Sequence, residues 1–389
     1  MKPARLAILA SHPVPYQVPL FRRLAKESAI ELRVIYGDDY GVRPRPSAWG
    51  VEAFTWKGGI TEGYPHVFVP NLAPRPDPST FAGKLNPGLF AELRRFQPDA
   101  CLVFGYGSVY HLQSIVCGKL LGCRMIYFSD ATRIPGSDAR GRAKHLFLSK
   151  ILYPRFDAFL AIGEKSRRQY LACGVPDRAL YRFPYAVDND HFRAMAREAK
   201  PRRDALRRRF GVPEGATCGL YIGRLAPEKN IAELIRAVAG APGHFLLLVG
   251  TGPQQAELAR LAAELLPGRH HFAGFLNYDQ IGDGYGAADI FALPSRFEPW
   301  GLVCNEAMCF GMPIVVSDQV GAAPDLVVPG ETGFVYPIGD VPALSRALLD
   351  AEGMLRRDPD RVARAVAEKV DQHSIEVMAE GLLEAINAR

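Results

Sequence analysis

The chain has 389 residues, 48% of them hydrophobic and 23% charged. That is more than one hydrophobic core usually serves, so two or three domains are expected, and a disordered, collagen-like or disulfide-scaffolded chain is excluded. The net charge of +6 is uneven: residues 1–200 hold 29 Lys and Arg against 17 Asp and Glu, a net +12, and residues 201–389 carry the balancing −6. Two units with different partners are expected from that split.

In chain order, Leu6–Ala10 reads as a buried strand, Pro19–Lys26 as a helix with Leu20, Phe21 and Leu24 on one face, and Glu31–Tyr36 as the next strand. Residues 40–90 are rich in Gly and Pro and read as loops with short strands at Phe54–Trp56 and His66–Val69. Ala100–Phe104, Arg124–Phe128 and Phe156–Ile162 read as strands, with helices at Tyr110–Leu121 and Lys165–Cys173. Residues 188–205 break this βαβα rhythm with Asp188-Asn189-Asp190, the charged helical piece Arg193–Lys200 and Pro201-Arg202-Arg203; they are the expected linker. The rhythm then restarts. Strands are expected at Cys218–Ile222, His244–Val249, His271–Phe272, Ile290–Leu293, Pro313–Val316 and Gly333–Tyr336, and helices at Ile231–Ala239, Gln254–Glu264, Gly301–Phe310 and Val341–Asp350. Two doubly wound α/β halves account for the length, with ligands beyond the carboxyl ends of the strands.

The stretch Leu293-Pro294-Ser295-Arg296-Phe297-Glu298-Pro299-Trp300-Gly301-Leu302-Val303-Cys304-Asn305-Glu306 carries the most chemistry. A strand ends, a loop presents Glu298, and a helix begins near Gly301. The N–H groups of Gly301, Leu302 and Val303 then lie at a helix N-terminus, a ready anion site. Glu306 follows about one and a half turns later. Two carboxylates bracketing a phosphate site suit a sugar nucleotide, with hydroxyls on either side of a diphosphate; singly, each Glu reads as well as a solvated side chain. Arg224 follows the strand Cys218–Ile222, and Lys229 precedes the helix Ile231–Ala239. Two cations there suit a departing diphosphate, on which charge builds in the transition state. The other reading of Lys229 is a surface pair with Glu228.

Glu298-x7-Glu306 within PSRFEPWGLVCNEAMCFGMPIVVS resembles the signature of the family 4 glycosyltransferases of the GT-B fold. Gly223-Arg224-Leu225-x3-Lys229-Asn230, Val249-Gly250-x-Gly252-Pro253, Phe272-Ala273-Gly274-Phe275, Gly330-x-Thr332-Gly333-Phe334 and Pro184-Tyr185-Ala186-Val187-Asp188-x3-Phe192 extend the resemblance. It implies two Rossmann-like domains facing a central cleft: an acceptor-binding domain 1–187, the linker 188–205, a nucleotide-sugar-binding domain 206–370, and a C-terminal helix in 371–389 returning to the first domain. It implies that Glu298 contacts the donor sugar, that Glu306 contacts the ribose, and that Arg224 and Lys229 hold the diphosphate. Gly223, Gly250, Gly252, Phe275, Trp300, Gly301, Leu302 and Val303 complete the expected donor site. It also implies retention of anomeric configuration, with the donor phosphate able to take the acceptor proton, so that no protein base is required. Asp130 lies near where many relatives carry a His, and reads as a catalytic or acceptor contact or as a turn cap before Thr132.

The first half departs from the family pattern. Ser11-His12-Pro13-Val14-Pro15-Tyr16-Gln17 replaces a Gly-rich turn; His12, Tyr16 and Gln17 line the acceptor side or form a proline-rich structural loop. Asp188-Asn189-Asp190 matches a metal-holding DxD of a different fold and is not read as a metal site; neither metal nor other cofactor is expected. Gly250-Thr251-Gly252 lacks a dinucleotide fingerprint's third Gly, since Gln255 stands there. Arg133, Arg140, Arg142, Lys144, Lys150 and Arg155 surround an apolar run from His145 to Tyr153, either a solvated helix face or a surface for an anionic membrane. No nucleic-acid module is present.

The seven cysteines form no CxxC pair and read as buried thiols of a reducing compartment. No run approaches the ~20 apolar residues of a membrane span, and Leu6–Ala10, stopped by His12-Pro13, is too short for a signal core. A cytoplasmic enzyme is expected, with peripheral attachment to the inner face of a membrane left open. It is expected to be a retaining hexosyltransferase moving a sugar from a nucleotide sugar, UDP first, to a hydroxyl on a surface polysaccharide, a lipid-linked saccharide or a small metabolite. A related sugar-nucleotide epimerase or phosphorylase and a catalytically silent binding protein are the alternatives.

Overall fold

The computed structural model describes residues 3–44, 59–136 and 138–388. The chain divides into two compact units: residues up to Pro184 together with the segment from Ile375, and Tyr185–Ser374.

The first unit is built on a parallel sheet of β1 (Ala4–Ala10), β2 (Ile30–Tyr36), β3 (His66–Phe68), β4 (Ala100–Phe104), β5 (Arg124–Phe128), β6 (Ala158–Ala161) and β7 (Leu180–Arg182), in the order β3-β2-β1-β4-β5-β6-β7. The second holds β8 (Thr217–Ile222), β9 (His244–Val249), β10 (His270–Gly274), β11 (Ile290–Leu293), β12 (Ile314–Ser317) and β13 (Gly333–Tyr336), in the order β10-β9-β8-β11-β12-β13. Both are doubly wound. The winding direction reverses between β1 and β4 in one unit and between β8 and β11 in the other, and crossovers to either side open a crevice at such a switch point.

The strands are buried on both faces, which is why they read as continuous apolar runs. In the first unit, alternate residues Ala7, Leu9, Cys101, Val103, Met125 and Tyr127 meet Leu89, Leu93, Phe96, Tyr110, Tyr153 and Tyr170 from the covering helices and turns. The helix Ile375–Asn387 also packs on this unit. A Cβ at Gly381 would stand 1.7 Å from the Arg182 carbonyl oxygen, and Arg124 Nε donates to the Ala385 carbonyl at 2.7 Å. All seven cysteines are free thiols, six buried and Cys117 half-buried. Among the described residues no helix is long and apolar enough to cross a membrane.

The basic stretch read as a helix face holds the helix Ala139–Leu146, whereas the helices Leu89–Phe96, Ile281–Ala287, Ala323–Leu326 and Pro359–Asp371 escaped the periodicity. The edge strand β7 also did, being three residues long and half-exposed. The expected strand Phe54–Trp56 lies outside the described residues. Residues 188–205, read as a linker, are folded into the second unit as the helix Asn189–Ala199 and the start of Arg203–Arg209. Their charge has partners: Arg203 and Arg207 both pair with Asp289, and Arg202 and Arg209 both pair with Asp283. A run of arginines carries no apolar stripe, so its packing was not visible as periodicity.

Candidate active site

The switch point of the second unit brings together two segments remote in sequence. β8 exits into Gly223-Arg224, and its neighbour β11 exits into Pro294-Ser295. Lys229 ends the short 3₁₀ turn Pro227–Lys229, and Asn230 then takes the left-handed conformation at φ 54°. This places Lys229 Nζ in a close ion pair with Glu298 Oε2. The Ser295 hydroxyl donates to the same oxygen at 3.4 Å. Further bonds stitch the two loops: Arg296 N donates to the Glu228 carbonyl at 2.8 Å, the Arg296 guanidinium to Asn230 Oδ1 at 3.0 Å, and Asn230 Nδ2 to Glu233. Lys229 therefore pairs with Glu298, not with the adjacent Glu228. Arg224 is exposed, and among the described residues its guanidinium has no ion-pair partner.

Glycine is required where the loops touch. A Cβ at Gly250 would stand 1.9 Å from the Gly223 carbonyl oxygen, and one at Gly252 would stand 2.4 Å from that of Leu225. Both glycines let the loops after β8 and β9 lie backbone to backbone.

Gly301, at φ 99°, caps the helix Leu302–Cys309. Within the described residues the N–H groups of Gly301, Leu302 and Val303 have no acceptor, and they point the positive end of that helix at the strand ends. The loop after β12 clasps the approach: Gly321 N donates to the Glu298 carbonyl at 2.8 Å and Ala322 N to the Trp300 carbonyl at 3.1 Å. Glu306 lies on the same helix, and Tyr285 Oη donates to its Oε2 at 2.6 Å. Burial pushes the Glu306 carboxyl up to about 7, against the Tyr285 hydrogen bond, which favours the charged form.

Trp300, expected in the donor site, turns its side chain inward. Its side chain is only 2% exposed, and its Nε1–H is spent on Asn305 Oδ1 at 2.9 Å, while Asn305 Nδ2 holds the Tyr185 carbonyl at 3.1 Å. The ring is a packing element under the helix start, not an open face for a ligand. Phe275, just past β10, is by contrast exposed. Asp188 spends its carboxylate capping the helix Asn189–Ala199, accepting from His191 N at 3.0 Å.

In the first unit the expected residues also lie beyond strand ends. His12 follows β1, its Nδ1 2.9 Å from the Ser11 hydroxyl and its ring edge-on to Tyr40. Tyr16 is exposed and Gln17 partly buried in the turn Pro15–Gln17. Asp130 is exposed two residues past β5, and the turn there is capped by Ser129, whose Oγ accepts from Ala131 N at 3.1 Å. Tyr285 and Gly321 went unnoticed in the sequence, and Asn230 and Asn305 stood in the motifs without a role, because each acts on a partner that only the fold brings near.

Residues 202–364 match the family described as "Glycosyl transferases group 1". The chain is 35% identical over 192 residues to a 2-deoxystreptamine N-acetyl-D-glucosaminyltransferase of Streptomyces fradiae, covering 47% of this chain and 45% of that one. It is 29% identical over 308 residues to a GDP-mannose-dependent alpha-mannosyltransferase of Mycobacterium tuberculosis, covering 76% and 75%. The chain spans about half the length of most curated relatives it matches. Anabaena HepE, solved in complex with UDP, superposes with a TM-score of 0.73 at 18% identity over 99% of this chain and 100% of that one, a likeness of fold. The group 1 match thus covers most of the second unit, and the likeness to HepE extends the two-unit GT-B fold over the whole chain.

Proposed function

We propose that the protein moves a glycosyl group from a nucleotide sugar to an acceptor hydroxyl with retention of anomeric configuration. The observation that carries this reading is the meeting of Lys229 and Glu298 beside three partnerless N–H groups at the β8–β11 switch point. Lys229, Arg224 and the helix N-terminus are suited to a diphosphate whose charge grows as the anomeric bond breaks. Glu298 is suited to the hydroxyls of the donor sugar, and Glu306 to the ribose. With the diphosphate itself able to take the acceptor proton, the site needs no separate base. The residues present suit a reaction without a metal, since cations already stand where phosphate charge develops. UDP-sugars come first as donors, in line with the UDP complex of HepE; relatives named for GDP-mannose put GDP-sugars second. The acceptor is a saccharide, a lipid-linked saccharide or a small metabolite.

A panel of UDP- and GDP-sugars is scored by thermal shift, because a ligand that binds only the native state raises its melting temperature. Product anomers are then read by NMR. A donor that stabilises the protein and yields a retained linkage is the expected result. An inverted linkage, or no stabilisation by any sugar nucleotide, overturns the reading. Glu298→Gln and Lys229→Ala are expected to lower kcat by about 10²–10³-fold, the scale for losing one preorganised electrostatic contact.

The acceptor unit also offers a surface for an anionic membrane. The cations at 133, 140, 142, 144, 150 and 155 are exposed, and so are Ile134, Leu146 and Ile151 among them. Apolar side chains ringed by cations suit the headgroup boundary of an anionic bilayer, which would bring a lipid-borne acceptor to the enzyme.

A further inference from the structure

The first unit has its own switch point between β1 and β4, and basic side chains gather beyond it. His12 follows β1, and His111 lies in the first turn of the helix Val109–Leu120 that follows β4. Lys84 belongs to the long loop after β3, which is strapped down. Asn71 Nδ2 holds the Gly83 carbonyl at 2.9 Å, and Asn71 Oδ1 accepts from Leu85 N at 3.0 Å. Asn86 Nδ2 holds the Gly37 and Val69 carbonyls. Phe81 O accepts from Val109 N at 2.9 Å, tying the loop to the helix that carries His111.

Two of these side chains are buried with unused hydrogen-bonding capacity. Lys84 is 2% exposed. Its Nζ donates to the Pro78 carbonyl at 2.6 Å, and no carboxylate of the described residues pairs with it. Asp77, the acid whose field reaches it, accepts from Ser79 N and Ser79 Oγ at 2.8 and 2.7 Å. His111 is 8% exposed, with Nδ1 3.0 Å from Ser108 Oγ, and its Nε2 has no hydrogen-bond partner. Ser108 Oγ also accepts from His111 N and keeps a second lone pair and its proton for Nδ1; in the tautomer where Ser108 donates to Nδ1, the ring proton sits on Nε2 with no partner. Burial, with the charges of Lys84 and His12 adding to it, pushes His111 down to about 3, which keeps the ring neutral. A buried ammonium without a carboxylate, on a loop tied to the helix that carries a buried ring nitrogen without a partner, is costly for a merely structural tie.

We propose that Lys84 Nζ and His111, in its Nε2–H tautomer, with His12 at the end of the neighbouring strand β1, bind an oxyanion carried by the acceptor, a phosphate or a carboxylate. This rests on the glycosyl-transfer reading for the word acceptor, but the anion site stands by itself. It gives the excess positive charge of the first half one local task. An anion here adds charge-assisted bonds to donors already desolvated and fixed, where binding requires little further ordering.

Inorganic phosphate is titrated into the full chain while the histidine ring nitrogens are followed by NMR, with glucuronate as the carboxylate arm. A Lys229→Ala background separates anions bound in the second unit. Phosphate, glucuronate or both are expected to move the His111 Nε2 resonance saturably in both backgrounds, and whichever does so names the oxyanion class. Lys84→Met is expected to weaken that binding by about tenfold or more, and Lys84→Arg to restore part of it, which guards against a variant that misfolds. A His111 resonance unmoved by either anion, or equal binding by folded Lys84→Met, overturns the proposal. Sugar-nucleotide binding is measured on the same samples. If it persists while anion binding fails, glycosyl transfer stands and the anionic acceptor falls; if it is absent while anion binding succeeds, the reverse holds.

Discussion

Glu306 sits where a carboxylate is expensive. Burial favours its protonated form, and only the Tyr285 hydroxyl opposes that. Between its ordinary 4.5 and about 7 the folded chain holds a proton that the unfolded chain has released. This group's contribution to stability is therefore present at low pH and is lost as pH rises through that window. Denaturant melts of Glu306→Gln across the window should lack that component of the slope. Ribose hydroxyls donate best to the carboxylate form, so nucleotide affinity should rise with pH toward neutrality. Tyr285→Phe removes a bond to the charged form and should move that rise to higher pH, as calorimetric titration at several pH values will show. Glu306→Gln should flatten it.

Among the elements, the arginine-bearing helix Arg203–Arg209 shows how charge can build packing. Arg203 and Arg207 converge on Asp289, which also accepts from Cys218 N at 2.7 Å, so one carboxylate anchors the helix to the start of β8. Asp289→Ala leaves two partly buried guanidinium groups and a strand N–H short of a partner. It should cost about 2–3 kcal/mol in a denaturant melt, with the donor motifs untouched. The helix Ala139–Leu146 is the opposite case, with its cations turned to solvent. If it meets a bilayer, flotation with vesicles containing anionic lipid should recover the protein at low salt and lose it as salt rises. Leu146→Ser with Ile151→Ser should weaken recovery at constant charge. Indifference to both lipid charge and salt removes the membrane contact.

At the scale of the whole molecule, the last helix belongs to the first unit, although the entire second unit precedes it in sequence. Met378, Ala379, Leu382, Ala385 and Ile386 are buried there, each of the larger ones contributing about 1.5–3 kcal/mol. Ending the chain at Ser374 should therefore lower the melting of the first unit, while the second, complete without that helix, keeps its nucleotide affinity. The equality of the two affinities by calorimetry is the check. Much of this organisation was legible in the amino-acid order. Runs such as Leu6–Ala10 and Ile290–Leu293 announced buried parallel strands, and the loop from Pro294 to Gly301 announced a helix start with a carboxylate before it. These signals survive because periodicity reports how a residue sits on its own strand or helix. Tertiary structure alone decided the partners. Lys229 meets Glu298 across 69 residues because β11 lies beside β8. Trp300 turns inward because Asn305 takes its N–H, and Lys84 reaches the surroundings of His111 because a strapped loop carries it there. Such pairings follow from strand order and loop path, which are global properties of the folded chain. The local sequence thus determined two wound halves and the residue types at their strand ends, and the fold determined which of those residues act together.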